Sequence, residues 1–274
     1  MSFFWSRGMY GLMLGAYAVG IALFFADFLR DNRAANRVGL VVLGVVWLLE
    51  TGFMGARFAA EHYPPIFTSS QATVFYSWLL ITVSIAVGYF YRIDFFAFFV
   101  NVLGFLLLAF DAIVHHNRVT APVRSSDLLI LHIGVAFLSY LAFAVSLIWS
   151  VLYLLKDSAL RGKRFGSGAF RRLPPLEQLD EYAYKSALAG MPLLLIALVL
   201  GSVWYIRLTG HYPLTDPKAI ATTLLLFVYA VYGWLRGTGR VSGKRAAWWN
   251  VASFFGVIVN FLVISTFLSK FHRW

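Results

Sequence analysis

Cysteine is absent from this 274-residue chain, which removes disulfides, C-x-x-C redox pairs and thiolate metal sites in one step. Charge is scarce as well. Asp, Glu, Lys and Arg make up 13% of the residues, roughly half of what soluble domains carry. There is no G-x-S-x-G elbow, no H-E-x-x-H helix and no Walker-type phosphate loop, so the sequence signatures of soluble hydrolases, zinc proteases and nucleotide hydrolases are missing. The apolar runs are continuous instead of alternating, which excludes a β-barrel reading, and no strong internal repeat is visible. A cleavable leader is not expected either. The opening MSFFWSRGMYGLML runs on to Phe28, too long for a signal h-region and followed by no small-residue cleavage site, so it reads as a retained helix.

What is present is apolar bulk: 60% of the residues are hydrophobic and the mean hydropathy is +0.75. A soluble fold of this length cannot hide so much apolar surface, whereas a bilayer can. About 20 apolar residues cross ~30 Å of hydrocarbon as a helix, and eight such runs can be marked: Phe4–Phe28, Val38–Ala60, Ala72–Tyr91, Phe95–Val114, Leu128–Leu155, Ala187–Leu208, Ile220–Leu235 and Trp248–Leu268. The expected fold is an all-α integral membrane protein, a single bundle of about eight transmembrane helices with residues 1–274 in one domain.

The formal net charge of +11 invites a nucleic-acid reading, but topology accounts for it better. Fifteen Lys and Arg fall on the connections of one side, among them Arg30, Arg92, Arg164 and Arg240, and eight on the other. Basic loops stay cytoplasmic, so both termini are expected outside, and nucleic acid is not an expected partner. The longest connection, residues 156–186, is then cytoplasmic. Its centre, RGKRFGSGAFRR, suits anionic headgroups, and LPPLEQLDEYAYK after it suggests a short interfacial helix carrying Leu176, Leu179 and Tyr182.

All six histidines map at or near the outer face under this topology: His62, His115, His116, His132, His211 and His272. His132 lies about five residues into the fifth helix. An imidazole at that depth needs a partner, either a ligand or a neighbouring helix. His272 follows the eighth helix in FLSKFHRW and reads by itself as an interfacial residue. Together, one histidine from each of two helices at one depth is the arrangement that holds haem iron from both sides. Asp111 and His115, four apart, share a helix face, as an oriented pair or a helix-end cluster. Glu50 sits near the middle of the second helix with Arg57 two turns outward, suited to proton relay or to a bond across the bundle.

The stretch LPPLEQLDEYAYKSALAGMPLLLIALVLGSVWYIRLTGHYPLTDPK, residues 173–218, resembles the core of the cytochrome c assembly family. Members carry a tryptophan-rich outer loop, G-x-V-W followed four residues later by W-G-x-Y-W-x-W-D-P-K-E. Here Gly201, Val203, Trp204, Gly210, Tyr212, Asp216, Pro217 and Lys218 stand in register, and His132 and His272 resemble the flanking outer histidines. Thr209, Pro213 and Thr215 replace three loop tryptophans and Ala219 an acid, so region 201–219 is a degenerate form of that loop. ADFLRDNRAANR, VVWLLETGF, RIDFFAFFVNVLGFLLLAF and KFHRW resemble the HemX branch in particular. The resemblance implies a multi-pass protein of the bacterial cytoplasmic membrane that binds b-type haem non-covalently. His132 and His272 would be axial ligands, and Trp204, Tyr212 and Asp216 would shape the loop over the porphyrin. It also implies a non-enzymatic role in haem handling or in setting the level of glutamyl-tRNA reductase, with that enzyme or a cytochrome c maturation subunit as partner. The alternative is a haem transporter or exporter, or a haem-handling subunit of cytochrome c maturation.

Overall fold

The computed structural model describes residues 2–30, 32–61, 66, 69–91, 94–114, 126–162, 173–213 and 215–262. Among these residues all regular structure is helical. The helices are α1 (Ser2–Arg30), α2 (Arg33–Glu61), α3 (Ser69–Tyr91), α4 (Asp94–Val114), α5 (Asp127–Arg161), α6 (Leu176–Thr209), α7 (Pro217–Gly237) and α8 (Gly243–Ile258). Seven of them, α1 to α7, are long and apolar enough to cross a membrane. The eighth ends in a π-helical turn over residues 259–262. The protein is a multi-pass, all-helical membrane protein.

Two helices outrun their apolar segments. α5 continues to Arg161, and α6 starts at Leu176, so the expected interfacial helix and the sixth span are one helix of 34 residues. The reason is local. Pro175 occupies the N-cap of α6, and no helix breaker intervenes before Pro192, which the helix absorbs. At 1.5 Å per residue, α5 and α6 are each ~50 Å long, well beyond ~30 Å of hydrocarbon. Their shared charged end carries the surplus: Asp157 pairs with Arg161, Glu181 with Lys185, and Asp180 accepts from Arg236 of α7 at 2.7 Å.

The helices gather into two compact units, α1–α4 and α5–α8. In the first, Met13, Tyr17, Leu43, Val46, Val74 and Leu108 form a fully buried core. Two indoles clasp α2 to α3 reciprocally: Trp47 donates to Thr82 at 3.0 Å, Trp78 donates to Thr51 at 2.9 Å, and the rings stack at 5.6 Å.

In the second unit α5 and α6 run antiparallel along a seam of seven-residue period. Ser146 donates to the Ala183 carbonyl at 2.7 Å, Ser139 to Gly190 at 2.9 Å, and the His132 ring meets Ala197 at 2.7 Å. A sustained seven-residue repeat holds the seam between two helices that wind left-handed. α8 is fastened to both α5 and α7 at two levels. Asn250 donates to Ser150 and Tyr232, each at 3.1 Å, and Asn260 donates to Tyr140 and Thr222 at 3.2 and 3.0 Å.

Candidate functional site

α5 begins where Ser126, in extended conformation, accepts from the Leu129 amide, and Asp127 fills the first turn. His132 follows five residues in, ~8 Å along the helix. Its Nδ1 lies 2.7 Å from the Ala197 carbonyl oxygen. A carbonyl can only accept, so Nδ1 carries the hydrogen, and in the neutral ring Nε2 bears the lone pair. A backbone carbonyl that fixes one imidazole nitrogen and turns the other into a donor atom for iron is a common way of orienting a histidine ligand. The ring lies flat against α6 because residue 201 is glycine. A Cβ there would sit 2.6 Å from His132 Cε1 and 2.9 Å from Nδ1.

Beyond this contact α6 continues twelve residues to Thr209, while α5 extends only five outward from His132. The α6 end therefore overhangs α5 by ~10 Å. Trp204 occupies that overhang, one further seven-residue step along the line Ala183, Gly190, Ala197. Gly210 then closes the helix in the left-handed conformation (φ 75°), its amide bonding to Ile206 at 2.8 Å. Tyr212 stands 72% exposed. Asp216 is buried as the N-cap of α7, accepting from the amides of Lys218 and Ala219 at 2.9 and 3.1 Å, with Pro217 in the first turn. Of the expected site residues, His132 and Trp204 thus share the α5–α6 seam, and Asp216 shapes the returning loop as a helix cap. His272 lies outside the described residues, as do His62, His115 and His116. The exposed backbone amide of His211 approaches Thr209 Oγ1 at 3.3 Å.

The direction of α8 bears on the tail. Asn250 meets Ser150 and Asn260 meets Tyr140, so α8 runs antiparallel to α5, and Phe261 packs edge-on against Phe137 and Tyr140. Description of the chain ends at Leu262 on the half of α5 that carries His132. A separate groove of about 450 Å³ lies between α7 and α8, lined by Leu224, Leu225, Val228, Trp249 and Gly256 among others. Its lining is apolar and includes no histidine, so it offers iron nothing.

Several contributors could not be singled out beforehand: Ala197, Gly201 and the serines of the seam. The spacing 132, 139, 146 against 183, 190, 197, 204 is their only signature, and it emerges only when two helices are aligned. Asp111 has Tyr10 as a partner, whose hydroxyl donates to Oδ2 at 2.9 Å.

Comparison with known proteins gives a consistent result. The family profile described as cytochrome C assembly protein matches residues 67–272. Protein HemX of Brevibacillus brevis is 37% identical, with 98% of each chain covered, and Protein HemX of Bacillus subtilis strain 168 is 34% identical over 93% of each. A cytochrome c biogenesis protein CcsA from Gloeobacter violaceus is 24% identical over 94% of this chain and 93% of its own.

Proposed function

This chain belongs to the cytochrome c assembly family, and from that premise we propose that it holds b-type haem non-covalently near the outer face of a bacterial cytoplasmic membrane. His132 and His272 serve as the axial ligands. The observation that carries this reading is the hydrogen bond from His132 Nδ1 to Ala197, which leaves the lone pair on Nε2. α8 heads toward the end of α5 that carries His132. Nitrogen donors on both sides give a low-spin iron suited to being carried or sensed. Trp204 on the overhang and the loop capped by Asp216 cover the porphyrin, with Tyr212 at its exposed rim.

Haem is cargo or signal in this reading, and the protein is not an enzyme. With Thr209, Pro213 and Thr215 in place of loop tryptophans, the loop lacks the stacking platform for presenting haem to an apocytochrome. Control of tetrapyrrole synthesis, through the level of glutamyl-tRNA reductase, is the role that fits such a haem sensor. The distribution of basic residues supports placing both termini outside.

An absorption spectrum of protein purified from haem-replete membranes tests the site. Sharp bis-histidine bands are expected in the wild type and lost in His132→Ala and His272→Ala. His132→Asn is the informative variant, since an amide can still donate to Ala197 yet cannot replace the imidazole. It should fold and elute like the wild type but come out colourless. Unchanged bands in His132→Asn, or a colourless wild type, would overturn the proposal.

A further inference from the structure

The first helical unit buries three carboxyl side chains: Asp27, Glu50 and Asp111 are 3%, 0% and 2% exposed. Two of them have evident roles in the packing. Asp27 accepts from Asn36 at 3.0 Å near the α1–α2 turn, and Asp111 accepts from Tyr10. Glu50 differs. It projects from the middle of α2 between the core residues Val46 and Phe53. Ser77 of α3 donates to Oε1 at 2.8 Å, while the buried Oε2 has no hydrogen-bond partner among the described residues. No described basic side chain pairs with it. The nearest cation along α2, Arg57, lies over the Phe53 ring at 5.5 Å. A carboxylate held at bilayer depth by one hydroxyl is expensive, and such groups mark proton or ion sites in membrane proteins.

The surroundings of Glu50 form a polar track. Tyr10 and Tyr17 of α1 both lie within electrostatic reach of it. Tyr10 also bonds to Asp111 near the described end of α4. Tyr17 donates to Asn101 Oδ1 at 2.9 Å, and Asn101 donates in turn to Ser84 and the Ala97 carbonyl. Residue 104 has to be glycine for this. A Cβ there would collide with the Tyr17 hydroxyl and sit 3.5 Å from Ser77 Oγ. The facing groups are therefore Tyr10 and Tyr17 from α1, the Ser77 hydroxyl from α3 and Asp111 from α4. Toward the Asp27 end the track stops at an apolar layer that includes Phe24, Leu43 and Ala97, all buried.

We propose that Glu50 is an exchangeable proton-binding site of the first unit, bordered toward Asp27 by the apolar layer. The net step takes one hydron from water. Glu50 takes it up at the unpartnered Oε2 and becomes neutral, with Ser77 still donating to Oε1, and returns it to water as the pH rises.

Infrared difference spectra of the full chain in lipid nanodiscs, recorded between alkaline and acidic pH in water and in heavy water, test the site. A neutral-carboxyl carbonyl band that follows bulk pH and shifts in heavy water is expected. Glu50→Gln should remove it and Glu50→Asp should displace it, which separates loss of the group from loss of the fold. Identical difference spectra for wild type and Glu50→Gln, or a band that never exchanges with heavy water, would overturn the site.

Discussion

On the proposed reading His132 does two jobs, and neighbouring residues allow them to be told apart. As one of three polar contacts on the α5–α6 seam it resembles Ser139 and Ser146. Hydrogen bonds between membrane helices average about 0.6 kcal/mol, so Ser139→Ala should lower thermal stability slightly and leave haem content unchanged. Gly201→Ala attacks the third contact from the opposite side. Its methyl would come within 2.6 Å of the His132 ring, which must swing away from Ala197. Overpacking of this kind costs about 1–3 kcal/mol, and on the proposed reading haem per protein falls steeply as well. Measuring melting temperature and haem content on both variants checks the distinction. If Ser139→Ala and Gly201→Ala lose haem in proportion to stability alone, His132 is only a structural contact.

Helices were legible from the residues because a bilayer demands long apolar runs, and the first seven marked runs each fall on an observed helix, while the eighth does so as far as the described residues go. Their true lengths were less visible. The charged turns of α5 from Lys156 and of α6 up to Ser186 continue helical hydrogen bonding outside the hydrocarbon, where hydropathy no longer reports helix. The fastening of α8 was not legible at all, since Asn250 and Asn260 look alike in any orientation until Ser150, Tyr140, Tyr232 and Thr222 are seen opposite them. Motif recognition located the loop correctly but not its physics. Gly210 and the Asp216–Pro217 pair match the family pattern because they end one helix and start the next. Asp216→Ala should accordingly cost about 1 kcal/mol, the usual loss for an N-cap. Asn260→Ala, which removes the amide that fastens α8 to Tyr140 and Thr222, should lower the melting temperature and, on the proposed reading, haem occupancy as well. Calorimetry with a haem assay separates the two: the cap variant moves stability first, the Asn260 variant moves both.

At the scale of the whole molecule the proposed site depends on sidedness, and the absence of cysteine makes sidedness easy to measure. Single cysteines can be placed at exposed positions without removing a native thiol. Tyr212→Cys reports the α6–α7 loop, Gln178→Cys the charged start of α6, and Arg240→Cys the α7–α8 turn. α6 runs one way and α7 returns, so 178 and 240 must share a face opposite to 212. The distribution of basic residues assigns that shared face to the cytoplasm. A membrane-impermeant maleimide should therefore label Tyr212→Cys in intact cells, and Gln178→Cys and Arg240→Cys only after permeabilisation. The reverse pattern would put His132 at the cytoplasmic end of its helix. Haem would then face the compartment where tetrapyrroles are made, and a sensor reading external haem would give way to one reading the product pool directly. Labelling of all three positions from the same side would contradict the antiparallel course of α6 and α7 itself.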